Sequence, residues 1–101
     1  MARNRIEDIY EVINDKKTYS ILDSIKNGEK ETLEILKDAE LTFKPFRYLS
    51  SRMYDAGLIL ERETIKTRFF AINKDGVRKF IEYLQTIPDT TDAVAKLSKY
   101  C

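Results

Sequence analysis

Apolar residues near the start of the chain recur at helical spacing. Ile6, Ile9, Tyr10 and Ile13 stand at i, i+3, i+4 and i+7, which lines one face of a helix. Asn14-Asp15 interrupts the run as a break or an N-cap. A second run, Tyr19, Leu22 and Ile25 with Ile21 beside them, stops at Asn27-Gly28, a C-terminal signal. The spacing predicts one long helix over 5–26, or two hinged near Asp15. Residues 30–39 predict a short helix with Leu33, Leu36 and Ala39 inward and Ile35 on its flank. Leu41-Thr42 is a tight connection, and Thr42 is an N-cap candidate for a helix that tolerates Pro45 in its first turn. That helix carries Phe46, Leu49, Met53 and Ala56 on one side, and Gly57 closes it.

After Gly57 the period changes to that of a strand. Leu58-Ile59-Leu60-Glu61-Arg62 and Thr67-Arg68-Phe69-Phe70-Ala71-Ile72 read as strands joined by the hairpin loop Glu63-Thr64-Ile65-Lys66. Phe69 and Phe70 occupy adjacent strand positions and must point to opposite faces. Asn73 or Lys74 leads into a helix with Val77, Phe80, Ile81 and Leu84 inward, ending near Ile87-Pro88. In 89–101, Asp89, Thr90 or Thr91 can cap a last helix with Val94 and Leu97 as its apolar stripe. The order helix, helix, helix, strand, strand, helix predicts an α+β, mostly α fold: a winged helix-turn-helix with three helices, a β-hairpin wing and C-terminal helices. The expected organisation is an N-terminal helix in 1–14 serving as a dimerisation element, the winged-helix domain in 15–87, and a tail in 88–101.

Composition narrows the chemistry. With 101 residues, 43% hydrophobic and 35% charged, the chain has the content of one globular domain. No stretch is apolar for long enough to cross a membrane, and Met1-Ala2-Arg3-Asn4-Arg5 lacks the apolar core of a signal peptide, so a cytoplasmic protein is expected. Cys101, the only cysteine, has no partner for an intramolecular disulfide. The absence of histidine removes His-based acid–base chemistry and the commonest metal ligand. Gly28, Gly57 and Gly76 are isolated and form no phosphate-binding loop. No catalytic constellation, metal site or cofactor is expected.

The net charge of +1 is unevenly placed. Residues 29–41 set Lys30 and Lys37 against Glu29, Glu31, Glu34, Asp38 and Glu40, a balance of −3. Residues 42–79 hold nine basic groups against Asp55, Glu61, Glu63 and Asp75, a balance of +5. A near-neutral chain with a basic middle has the charge distribution of a local anion-binding surface.

The stretch 15–86 resembles the winged-helix regulators grouped as MarR-, ArsR- and PadR-like, particularly small archaeal ones. "DKKTYSILDSIKNG" looks like their opening helix, and "KETLEILKDAELTFKPFRYLSSRMYDAGLILE" like helix, turn, recognition helix and first wing strand. "LSSRMYDAGLIL" is the most family-like piece, and "RFFAINKDGVRKF" looks like the second wing strand running into the next helix. The metal ligands of ArsR-type sensors are absent, so metal sensing is not carried over.

The resemblance implies sequence-specific binding of double-stranded DNA by a transcriptional regulator, a repressor. In such folds the second helix of the motif lies in the major groove. With Phe46, Leu49 and Met53 inward, the face left for DNA is Lys44, Arg47, Tyr48, Ser51 and Arg52, with Asp55 beside them. Arg47 and Arg52 can offer two donors to a guanine edge or grip phosphate. The wing offers Arg62, Lys66 and Arg68 for phosphates or the minor groove, although Glu61 and Glu63 can pair with Arg68 or Lys66 across the hairpin. Lys16 and Lys17 read better as solvated surface, and Tyr10, Tyr83 and Tyr100 as packing or interface residues. Ile6, Ile9, Tyr10, Ile13, Val94 and Leu97 are the expected homodimer interface, unless both termini fold back on their own domain. The alternative is a winged-helix protein-interaction module that does not bind DNA, favoured by the acidic segment 29–41. The sequence does not name an effector.

Overall fold

The computed structural model describes residues 5–101. Residues 1–4, part of the expected N-terminal element and of the segment read as no signal peptide, lie outside the described residues. Two helices fill 5–26 rather than one: α1 (Arg5–Asn14) and α2 (Lys16–Ile25). The break falls at Asp15, whose extended backbone ends α1 and whose carboxylate accepts from the Lys17 amide at 2.9 Å. One carboxylate thus supplies the N-cap of α2 at the hinge foreseen in the sequence. Thr18, Ile21, Leu22 and Ile25 then sit buried at i, i+3, i+4 and i+7.

The next segment departs from expectation. Lys30–Glu31 is a two-residue strand, β1, and α3 (Thr32–Ala39) begins only after it. Residues two apart on a helix cannot share a face. Of Leu33 and Ile35, Ile35 is the fully buried one and Leu33 is exposed, the reverse of the sequence reading. Glu40 takes a left-handed conformation (φ 54). Its amide reaches the Lys37 carbonyl while the Leu41 amide reaches that of Leu36 at 2.9 Å, which closes α3 tightly. After this turn comes α4 (Phe43–Asp55), with Thr42 at its N-cap, extended but without a side-chain capping bond. The end of α4 repeats the closure. Gly57 has φ 82, its amide bonds the Tyr54 carbonyl at 3.0 Å, and the Leu58 amide bonds that of Met53 at 2.9 Å.

β2 (Ile59–Glu63) and β3 (Arg68–Ile72) form the expected antiparallel hairpin, with Ile59 opposite Ile72 and Glu63 opposite Arg68. β1 pairs on the far side of β3, Lys30 opposite Phe70, giving a three-stranded sheet in the order β1-β3-β2. Phe70 faces the core and meets Phe46 of α4 edge to face, with ring centroids 5.3 Å apart. α5 (Lys74–Leu84) starts at Asn73, whose side chain accepts from the Gly76 amide at 3.1 Å. α6 (Thr91–Leu97) and a 3-10 turn (Ser98–Tyr100) end the chain. No helix among the described residues is long and apolar enough to cross a membrane.

Both ends of the chain join one hydrophobic cluster. Val12 and Ile13 from α1, and Ala93, Leu97 and Tyr100 from the C-terminal turns, are buried with Leu22, Phe46, Met53 and Phe80. Ile13 and Leu97, expected at a dimer interface, are therefore core residues of their own chain. Ile9, Tyr10 and Val94 pack half-buried against the same cluster, and only Ile6 of that set is exposed. Hydrogen bonds fix these ends. The Tyr10 hydroxyl donates to the Pro88 carbonyl at 2.8 Å, and the Tyr100 hydroxyl donates to Asp23 at 2.6 Å. Burial of the ring, and then Asp23, raise the Tyr100 hydroxyl pKa, so it remains a donor. Burial likewise pushes Tyr19 up to about 12, and its hydroxyl donates to the Ile13 carbonyl at 2.7 Å.

Gly76 has no room for a side chain. A Cβ placed there would overlap the Gly57 carbonyl oxygen, a backbone atom that cannot swing aside. Gly76→Ala should lower unfolding free energy by about 1–3 kcal/mol in urea denaturation, the usual cost of forcing an extra carbon into packed space. Glu40→Gly should do the opposite, by about 1 kcal/mol, since it relieves a left-handed residue that carries a Cβ.

Candidate nucleic-acid interface

Amphipathic spacing decides which side chains α4 presents. Phe46, Leu49, Ser50 and Met53 turn inward, and Lys44, Arg47, Ser51 and Asp55 remain exposed on the other side. Lys44 and Arg47 form no ion pair with any described residue. No acidic residue occupies the first turn of α4, so its positive dipole end has no internal counter-charge there.

Arg52 and Tyr48, expected on the same face, lie on its flank and turn to α1. The Arg52 guanidinium stacks over the Tyr48 ring with 3.7 Å between guanidinium carbon and centroid. Its Nε lies 3.1 Å from Glu11 and 3.7 Å from Asp8, and the side chain is only 12% exposed. That buried Nε–H points along no hydrogen bond, so charge attraction and stacking hold the group. The Tyr48 hydroxyl donates to the same Glu11. Two of the five residues expected to face DNA are thus anchored to α1.

The wing is also more internally paired than its sequence suggested. Arg62 donates to Glu29 from Nε at 3.2 Å and from an Nη at 2.8 Å, and stacks over Phe69 at 4.3 Å. These hydrogen bonds draw the Glu29 carboxyl below its usual pKa and raise that of Arg62. Arg68 lies 3.3 Å from Glu61 and 3.7 Å from Glu63, the cross-strand pairing weighed from the sequence. Lys66 alone of the three wing cations is without a partner among the described residues. Next to it Ile65 is fully exposed at the tip. The turn beneath them is braced, with the Thr64 amide and hydroxyl both donating to the Thr67 carbonyl at 2.8 and 3.0 Å.

The acidic segment 29–41 is partly neutralised too. Asp38 accepts from Lys30 at 2.6 Å and from the Ser24 hydroxyl at 2.9 Å, and its pKa is lowered by both. Four residues of consequence were not visible in the sequence. Asp8 and Glu11 hold the flank of α4, but 37 residues separate Glu11 from Tyr48, and local spacing carries no sign of the contact. Phe43 and Tyr54 are 54% and 50% exposed on α4. Phe43 lies three residues before Phe46 in an apolar rhythm, yet at the first position of the helix its side chain is left exposed. An open groove of about 900 Å³ also runs between α1, the end of α4 and α5, with Ile9, Val12 and Phe80 among its lining.

Three-helix core, tight turn, outward-facing second helix and braced hairpin define a winged helix-turn-helix domain. Solved structures share this fold. The crystal structure of an ArsR family transcriptional regulator superposes with a TM-score of 0.65 at 19% identity, over 85% of this chain and 90% of that one. NolR from Sinorhizobium fredii gives 0.62 at 19% identity, over 83% of this chain and 84% of its own. The homodimeric winged helix-turn-helix DNA-binding domain of Mb0332 from Mycobacterium bovis, a possible ArsR-family transcriptional regulator, gives 0.62 at 17% identity, over 86% and 81%. At these identities the likeness is one of fold. No family model matches the sequence, and no curated protein is significantly similar to it.

The clasp on α1 can be measured directly. A double-mutant cycle on Glu11→Ala and Arg52→Ala should return a coupling of about 0.5–1 kcal/mol at low salt, shrinking as salt rises, because Glu11 is half exposed. A coupling of zero would mean the two side chains do not hold each other in solution.

Proposed function

We propose that this chain binds double-stranded DNA in a sequence-specific manner and regulates transcription, as a repressor and a homodimer. The observation that carries this reading is the outer face of α4. There Lys44 and Arg47 remain unpaired among the described residues, while Arg52, Arg62, Arg68 and Arg78 each meet a carboxylate. An exposed helix carrying uncompensated cations and a small residue, Ser51, suits entry into the major groove. The first-turn amides of α4 and Lys44 suit a phosphate, and Arg47, one turn further, suits a guanine edge. The contacts we assign are Lys44, Arg47 and Ser51 on α4, with Lys66 at the wing tip. Tyr48 and Arg52 fix the tilt of α4 from its flank, and Arg62 and Arg68 stiffen the hairpin.

The fold likeness supports an ArsR-like regulator over the MarR- and PadR-like alternatives, and the homodimeric state described for Mb0332 supports pairing of two chains. Two copies would read two half-sites, which one small module needs for useful specificity. Such a protein acts where the chromosome lies, in the cytoplasm. We assign it no enzymatic activity. A second reading, a protein-interaction module, has one observation in its favour. Leu33 is exposed on α3 beside Glu34 and Lys37, a mixed surface that phosphate would not favour.

Fluorescence anisotropy of a labelled random-sequence duplex, titrated at several salt concentrations, separates the two. Affinity should fall steeply with salt, and Lys44→Ala and Lys66→Ala should each reduce the slope by about one. On a selected site Arg47→Ala should cost about 1–3 kcal/mol. Binding that is absent even at low salt would leave the protein-interaction reading.

A further inference from the structure

We infer that Phe43 is a base-reading residue that recognises the 5-methyl group of thymine, so that the half-site bound by α4 contains a thymine close to the base pair met by Arg47. The inference rests on the DNA-binding reading above.

Phe43 is the first residue of α4, and it is 54% exposed although Phe46, in the same turn, is buried. Arg47 lies four residues on, directly above Phe43 on the same side of the helix, and is itself exposed. Lys44 stands next to it on the outward face. The apolar ring is therefore set among cations that have no counter-charge within the described chain. A surface of that kind complements a polyanion with an apolar spot on it. Recognition helices place their N-terminal residues against base edges, which is where Phe43 is.

The chemistry of the groove then narrows the target. A phenyl ring neither donates nor accepts a hydrogen bond. Pressed against a guanine, adenine or cytosine edge, it would strip water from a polar group and give nothing in return. The thymine methyl is the apolar group that base edges offer in the major groove. Other exposed apolar side chains do not compete for this role. Leu33 and Leu60 are on α3 and β2, Ile65 is at the wing tip, and Tyr54 is in the last turn of α4. Ile6 and Tyr83 are on α1 and α5, and Tyr48, also exposed on α4, is tied to α1 by its hydroxyl bond to Glu11 and carries the Arg52 guanidinium on its ring.

The test uses the full chain and a duplex selected by it from a random-sequence pool, prepared once with thymine and once with 2′-deoxyuridine throughout. That exchange removes the methyl and leaves every hydrogen-bonding edge as it was. The parent protein should bind the thymine duplex about four- to fifteenfold more tightly, the range expected for burying one or two methyl groups. Phe43→Ala should bind both duplexes equally and keep the parent salt slope, and its circular dichroism should match the parent because the side chain is exposed. Equal binding of both duplexes by the parent, with affinity still falling as salt rises, would overturn the role of Phe43 and leave DNA binding intact. Discrimination that persists in Phe43→Ala would assign the methyl contact to another residue and overturn the inference as well. Loss of self-association in Phe43→Ala, seen by sedimentation with an unchanged thymine preference, would make the residue a subunit contact and overturn it too. Failure of the parent to bind any duplex at low salt would overturn the DNA-binding reading itself.

Discussion

Burial of one face of α4 sets the terms for everything around it. Phe46, Leu49 and Met53 must leave water, and Phe46 finds Phe70 of β3 at an edge-to-face angle of 89°. Once that ring contact is made, the rotation of α4 about its own axis is fixed. Lys44, Arg47 and Ser51 follow outward by helical geometry alone. The same contact ties the helix to the sheet, so the hairpin cannot change its position independently of the surface that α4 presents.

Charge is then sorted by pairing. The basic middle of the chain looked like a broad cationic surface, yet Arg52, Arg62 and Arg68 are engaged by Glu11, Glu29, Glu61 and their neighbours. A paired guanidinium contributes little field at a distance, whereas an unpaired one keeps its full charge. The attractive surface is therefore narrower than a count of Lys and Arg suggests. Within α4 and the wing it consists of Lys44, Arg47 and Lys66, and Lys74 and Lys79 of α5 are the other exposed cations of the basic middle with no ion pair among the described residues.

Much of this was legible in the sequence, and the parts that were not share a cause. The helical period of Ile6–Ile13, the cap at Asp15, the closure at Gly57 and the switch to strand spacing after it depend on neighbours a few residues apart, and each has its structural counterpart. β1 escaped because two residues cannot display an alternation. Leu33 and Ile35 were exchanged because both fit a helical stripe of eight residues, and only packing chooses between them. The carboxylates of Glu11 and Glu29 come from positions 37 and 33 residues distant from their partners, beyond any local pattern. The assignment of Ile13 and Leu97 failed for the same reason. An apolar stripe announces that it will be covered but does not say whether its own chain or another does the covering.

The contact between Gly57 and Gly76 binds the history of two positions together in an unusual way. In most packed pairs a larger residue on one side can be accommodated by a smaller one on the other, and lineages drift through such exchanges. Here the group that meets Gly76 is a carbonyl oxygen, which every amino acid at position 57 would carry. Position 57 is held separately by its left-handed backbone. No exchange at position 57 can make room for a side chain at position 76, so descendants of this chain could alter Gly76 only by re-routing the turn that leads out of α4.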